Sequence, residues 1–475
     1  MNLSSVFWTP EFFLTLVGSV LLLWDAISNP NPKLVGKVTL FSLVALLVYV
    51  IQLDASTSSS LWSGLYLWDA EAKYFKAFFL IVAILVVCST QLLHLKIEAG
   101  KAEFYIITLF ATAGMLLLAS VQDLILLFVA LELVTVSFYV LVAYHRSQTT
   151  SLEAGVKYLI MGAVSSTFLI MGSAYLFGIS GSTHFDAINL ALRSQELKPE
   201  MIFGLALVLV GLLFKVSVVP FHIWAPDVYQ GAPLPVTSFL AVGSKAAGFV
   251  LLLRLLSGPF AGEEVASYWI SALSALSGAS MILGNFAAIP QRNLKRMLAY
   301  SGIGHAGFIL AGLISNSRQG QAAVFVYLTA YLVSAMTVFI AMSALGKNQD
   351  SDHLSNYSGL SQRSPWIAAA MALGLISLAG IPPLIGFMGK FTIFMALWQS
   401  EHYALFGVGI VSAVAGLYYY LGIVRAMYWS NPSDSSPIVI CRRTKFLLVL
   451  LSLIIVVIGF WSQPLFNVVK SVLGS

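Results

Sequence analysis

Apolar runs recur along almost the whole chain, separated by short polar stretches. A membrane helix needs about 20 consecutive apolar residues. Such runs lie near 8–27, 34–53, 74–94, 104–121, 122–144, 154–179, 200–220, 235–257, 267–289, 297–315, 320–345, 365–398, 403–428 and 446–469. The pattern predicts about fourteen spans and an all-α polytopic membrane fold. The 104–144 stretch is too long for one span, and Asp123 is its natural turn. The seventh run is interrupted by Pro220 and the twelfth by Pro382 and Pro383. Proline removes a backbone donor and clashes with the carbonyl four residues back, so both spans are predicted to break.

Basic residues orient the spans. Loops after odd-numbered spans carry thirteen: Lys33, Lys37, Lys96, Lys101, Arg146, Arg292, Lys295, Arg296, Lys347, Arg363, Arg442, Arg443 and Lys445. The opposite side has six: Lys73, Lys76, Arg193, Lys198, Arg318 and Lys470. The asymmetry puts the thirteen in the cytoplasm and both termini outside. An even number of spans agrees with this.

The layout repeats even though the letters do not. Spans 4–8 and 9–13 form two five-helix units, residues 101–258 and 265–430, with 1–100 before them and a C-terminal helix in 431–475. The fourth span of each unit is broken, and the second has a lone ionisable residue near its centre, Glu132 or His305. Five is odd, so tandem units of five are inverted relative to each other, as in secondary transporters.

Polar positions inside the runs are rare, and a charge at membrane depth is expensive and functional by default. Lys215 stands out in LALVLVGLLFKVSVVPFHIWAP, just before the break at Pro220. An ionisable group beside a broken helix is a recurring transporter site. Freed carbonyls at such a break bind water, which gives protons a route. His222 follows the break, either as a further proton-handling group or as a residue that only hydrogen-bonds the break; Asp227 reads as a cap of the loop. Glu132 and Lys157 are opposite charges in consecutive spans. They form a coupling pair or a structural one, and Glu153, one turn before Lys157, is another possible holder. Lys245 is central in span 8 among small residues, too deep to snorkel. Arg254, nine residues on, reads as a lateral or interfacial anchor. His305 is a relay or a satisfied core histidine. Lys390 follows the second break in GIPPLIGFMGKF, where Gly386 and Gly389 leave room for water. Together these residues suggest a line of proton-handling groups inside the bilayer.

Composition narrows the class. Of 475 residues, 59% are hydrophobic and 9% charged, with mean hydropathy +0.89. Soluble domains carry about 25% charged residues, so no sizeable soluble domain is expected. The net charge of +5 is scattered over short loops and does not point to nucleic acid. Two cysteines, Cys88 and Cys441, cannot build a disulfide framework, zinc site or iron–sulfur cluster. The N-terminal segment lacks the basic region of a cleaved signal peptide and reads as a retained helix. GIGHAG at 302–307 has dinucleotide-motif spacing, but it lies in a membrane span with no βαβ unit.

The run FKVSVVPFHIWAPDVYQGAPLPVTSFLAVGSKAAG resembles the signature of the antiporter-like membrane subunits of respiratory complex I. That family shares ancestry with multi-subunit Na⁺/H⁺ antiporters. LELVTVSFYVLVAYHR, LEAGVKYLIMGAVSS, QRNLKRMLAYSGIGHAGFIL and LISLAGIPPLIGFMGKF resemble it too, in family order over about residues 100–430. PDVYQGAP and the lysine at 390 are most similar to the N-type members. The resemblance implies fourteen helices with two inverted five-helix repeats and a proton-translocating role. It implies that Glu132 and Lys157 are the coupling pair, Lys215 the carrier, Lys245 and His305 axial relays, Lys390 the exit-side lysine and His222 an accessory site. It implies no cofactor or metal in this chain, with NADH, FMN, iron–sulfur clusters and quinone in partner subunits. The implied partners are other complex I membrane subunits and, through them, the peripheral redox arm. The implied location is a bacterial inner membrane. A cation/proton antiporter driven by ion gradients is the alternative, and a non-conducting scaffold a third.

Overall fold

The computed structural model describes residues 9–55, 58–92, 101–194, 198–345, 352–432, 436–438 and 440–474. Lys96 and Lys347, counted above among the basic loop residues, lie outside the described residues. The chain is nearly all helix, because hydrocarbon offers no partner for backbone N–H and C=O and only intra-segment hydrogen bonds satisfy them. In chain order the main helices are α1 (Pro10–Ser28), α2 (Pro32–Gln52), α3 (Ala70–Leu92), α4 (Lys101–Leu118), α5 (Leu124–Val142), α6 (Thr149–Ser180), α7 (Phe185–Ser194), α8 (Pro199–Lys215), α9 (Trp224–Gly231), α10 (Leu234–Ser257), α11 (Glu263–Ala288), α12 (Leu294–Ile314), α13 (Arg318–Leu345), α14 (Pro365–Ala379), α15 (Ile385–Gln399), α16 (Tyr403–Trp429), α17 (Arg442–Phe460) and α18 (Gln463–Leu473).

Eleven of these are individually long and apolar enough to cross a membrane. The three remaining predicted spans fall on α4, on α8, which ends at Lys215 ahead of Pro220, and on α14 with α15, parted by Pro382 and Pro383. With them the count reaches the expected fourteen. Local chemistry sets the ends. Asp123 does turn the chain: its carboxylate accepts from the amides of Ile125 and Leu126, capping α5. Asn31 caps α2 ahead of Pro32, and Asn293 caps α12. One expectation needs correction. The last run is two helices rather than one, since α17 stops at Phe460 and α18 restarts with Pro464 in its first turn. Proline favours a helix start over a helix interior.

The described residues divide into two compact units. The first contains Met1–Cys88, Ile97–Ser217 and Gly231–Ala272. The second contains Ser89–Lys96, Val218–Gln230 and Leu273–Ser475. In the first unit α10 is wholly buried, while α6 turns most of its surface outward. A short antiparallel hairpin, β1 (Ser59–Leu61) and β2 (Tyr66–Trp68), closes one end. It is pinned to the α4–α5 turn by Leu67 N–H to the Ser120 carbonyl, 2.8 Å, and Gln122 N–H to the Leu65 carbonyl, 3.0 Å. In the second unit α12 and α13 are almost wholly buried. The segment Val218–Gln230 is tied into this unit by Val219 N–H to Ser280 Oγ, 2.9 Å, and by the Arg296–Asp227 ion pair, 2.6 Å.

Topology is directly testable. In a Cys441→Ser background, Asn31→Cys is expected to react with an impermeant maleimide only from the cytoplasmic side and Ser60→Cys only from the other. Both positions are exposed. Labelling of both from one side would overturn the orientation drawn from the basic residues.

Candidate functional site

Lys215 is the last residue of α8. Its side chain is buried, and its ammonium donates to Thr135 Oγ1 at 2.9 Å and Tyr158 Oη at 3.3 Å. Both partners are neutral hydroxyls. Thr135 passes its own proton to the Leu131 carbonyl, 2.6 Å, which leaves its lone pair for Lys215. The helix ends here because Ser217 takes a left-handed conformation (φ 58°) ahead of Pro220. Space for the lysine stem comes from Gly248 on α10, where a Cβ would sit 2.6 Å from Val216 and 3.6 Å from Lys215. Lys245 lies one turn earlier on α10, also buried, directly after a π-helical turn at Leu240–Ser244. Such single wide turns are frequent at functional positions.

Glu132 lies one turn before Thr135 on α5, and its carboxylate accepts a hydrogen bond from Ser166 on α6. Thr135, one turn further along the same helix, is a residue that holds Lys215. Lys157 Nζ lies 2.7 Å from Glu153 Oε1, so the neighbour one turn back does hold it. Both side chains of this pair are substantially exposed, on the outward-facing side of α6. Glu132, Lys157, Lys215 and Lys245 therefore fall on four helices of the first unit, α5, α6, α8 and α10, and Thr135 and Tyr158 join α5 and α6 to Lys215.

In the second unit Lys390, on α15, is buried and donates to the Ala379 carbonyl at 2.8 Å. That carbonyl ends α14 and has no helical donor of its own. Gly380 makes the contact possible. It has φ 86°, and a Cβ there would meet Lys390 Cδ at 2.8 Å. Ser377 Oγ receives Gly386 N–H at 3.1 Å and lies 2.7 Å from Ser334 Oγ, which anchors the start of α15. His305 is buried on α12, its Nδ1 2.7 Å from Tyr327 Oη and its Nε2 3.0 Å from Tyr420 Oη. Both nitrogens are satisfied, as in a core histidine. Yet the partners are hydroxyls, which can each donate or accept, so these bonds also have the chemistry that a relay requires. His305, Tyr327, Tyr331, Ser334, Ser377 and Lys390 line one cavity of about 10 Å³, near the lower limit for one water.

His222 is half-buried in the broken segment near the Pro220 carbonyl, and its Nδ1 is buried with no hydrogen-bond partner. Asp227 is not only a loop cap. It lies in the first turn of α9 and holds Arg296.

Two features escaped the sequence reading. Arg254 is no lateral anchor: it is buried and makes a two-pronged contact with Asp69, 2.7 Å for each hydrogen bond. Lys76, counted above as a loop residue, lies inside α3, which starts at Ala70, before the apolar run at 74. It is fully buried against Glu11 of α1. The signal that could have flagged this pair is a carboxylate within the first apolar run and a lysine within the third.

A family model described as "NADH:quinone oxidoreductase/Mrp antiporter, TM" matches residues 120–416. The NADH-quinone oxidoreductase subunit N of Moorella thermoacetica is 40% identical over 406 residues, covering 85% of each chain. That of Rhodospirillum rubrum is 39% identical over 461 residues, covering 96% of this chain and 93% of the relative. Among solved structures, a chain of respiratory complex I from Thermus thermophilus is similar with a TM-score of 0.82 and 29% identity, covering 98% of this chain and 100% of that one. A chain of the Mrp complex from Dietzia has the same fold, with a TM-score of 0.90 at 20% identity, covering 100% of this chain and 97% of that one.

Proposed function

The chain belongs to the NADH:quinone oxidoreductase/Mrp antiporter transmembrane family, and from that premise we propose that it is the N-type, proton-translocating membrane subunit of an NADH–quinone oxidoreductase. The carrying observation is the pair of buried lysines at helix breaks, Lys215 and Lys390, whose ammonium groups are held by neutral oxygens. A lysine held by hydroxyls or a carbonyl can give up its proton without stranding a carboxylate beside it. Such a group carries protons, whereas one locked in a close ion pair does not.

In this reading redox energy released in partner subunits moves charge along the membrane. Glu132 is the switch. While its charge acts on Lys215, the ammonium form is favoured. When Glu132 is drawn to Lys157, Lys215 releases its proton toward Lys245. In the second unit Lys390, the cavity and the Tyr327–His305–Tyr420 hydroxyl chain form a route of their own, and His222 lends an accessory proton site. NADH, FMN, iron–sulfur clusters and quinone belong to partner subunits. The protein sits in a bacterial inner membrane with both termini on the outer side.

Copurification with soluble iron–sulfur subunits separates this reading from that of an ion-gradient antiporter. Glu132 is then tested in the assembled complex. Glu132→Ala is expected to depress protons translocated per electron more than Glu132→Asp, at matched complex content in proteoliposomes. Wild-type pumping by a fully assembled Glu132→Ala complex would remove Glu132 from the switch.

A further inference from the structure

The hairpin end of the first unit holds a group of charged side chains that the route above does not use. Glu11 and Lys76 are paired and buried, with Tyr66 Oη 3.2 Å from Glu11 Oε2 and 2.8 Å from Lys76 Nζ. Lys76 also donates to the Leu116 carbonyl at 3.1 Å. Asp69 holds Arg254 through two hydrogen bonds and accepts from the Ala72 amide at 2.7 Å. Lys73 turns away to the Leu53 carbonyl, 2.6 Å. Glu71 remains, on the first turn of α3, facing Arg254 and Asp69.

Charge counting isolates Glu71. Lys76 has Glu11 and Arg254 has Asp69, so each buried cation already owns a carboxylate. Burial opposes the charge on Asp69, but the hydrogen bonds and charge of Arg254 hold its carboxyl below the usual range, so it stays ionised. A third ionised carboxylate would leave the group with an uncompensated buried charge, which is costly. Glu71 is therefore the member that binds and loses a proton. Its geometry suits exchange: Oε1 is buried with no hydrogen-bond partner, while the residue as a whole is still partly exposed. Arg254 Nε, also buried, has no hydrogen-bond partner either.

We propose that Glu71 is the proton port of the first unit, taking up protons there and exchanging them with solvent at the hairpin end. Asp69 and Arg254 are positioning residues that tie the start of α3 to α10 and keep the carboxyl at that end. The proposal rests on the proton-carrying reading of the chain.

The test uses the whole complex in proteoliposomes with the pH at the hairpin face varied. In the wild type, lowering that pH keeps Glu71 protonated, and proton translocation falls with a one-proton dependence. Glu71→Gln keeps size and hydrogen bonding but exchanges no proton, so it is expected to lower the proton-to-electron ratio and to lose that pH dependence. If Glu71→Gln does not assemble, Glu71→Asp decides: it retains a carboxyl one methylene further from Arg254, and the midpoint of the pH profile is expected to move. A wild-type ratio and profile in Glu71→Gln, or an unmoved midpoint in Glu71→Asp, overturns the port while leaving the family function intact. A wild-type complex that oxidises NADH without translocating protons overturns the function itself.

Discussion

Complexes carrying Lys215→Arg or Lys390→Arg are expected to assemble and transfer electrons yet lose most of their proton translocation per electron. The methionine variants at the same sites are expected to fail in the same way. Arginine keeps the positive charge but is not deprotonated in proteins. Even against an ordinary lysine its proton is held about 100-fold or more tightly, so a carrier made of arginine cannot release it within a turnover. Methionine has similar length and no charge. If the two lysines were fixed counter-charges, arginine would restore pumping where methionine does not. Each site tolerates the test differently. The Lys215 pocket is bounded by Thr135, Tyr158 and the Gly248 face of α10. That of Lys390 lies against Gly380, so the larger guanidinium crowds it more. The measurement is proton uptake against NADH oxidised in proteoliposomes, at matched complex content. Wild-type pumping in both arginine variants would leave these residues only an electrostatic part.

The second large effect is on stability. Glu11→Leu is expected to destabilise the assembled subunit by about 3–5 kcal/mol, because it strands the fully buried ammonium of Lys76. Adding Lys76→Met removes the stranded charge, and the double variant is expected to recover most of the loss. Thermal denaturation midpoints of the detergent-solubilised complex, with the yield of assembled complex alongside, give the comparison as a double-mutant cycle. A double variant no more stable than Glu11→Leu alone would mean that the site depends on Tyr66 and the Leu116 carbonyl rather than on charge balance.

Much of the site was legible in the chain because its membrane setting makes single letters informative. Lys215, His305 and Lys390 each stand alone in an apolar run, Lys245 shares its run only with Arg254, and all four are buried in the fold. The breaks at Pro220 and at Pro382–Pro383 were equally plain, since a missing backbone donor cannot be hidden in hydrocarbon. Charges near the ends of runs were harder. Lys76 and Arg254 sit where a snorkelling or loop residue would also sit, and apolar periodicity cannot separate those cases. Glu71 was invisible for the same reason, one residue into a helix that begins before its apolar stretch does.

The sequence by itself determined the number of crossings, the two broken spans and the identity of the isolated ionisable groups. Those follow from local rules: about 20 apolar residues per span, no unsatisfied backbone in lipid, and a high cost for each buried charge. Only the tertiary structure decided which group answers which charge. Lys215 meets a threonine 80 positions away, Lys76 a glutamate 65 away and Arg254 an aspartate 185 away. Hydropathy requires that such charges be compensated, but it carries no information on distance between helices. Packing brings the partners together, and with them the difference between a lysine held by neutral oxygens and one held in an ion pair.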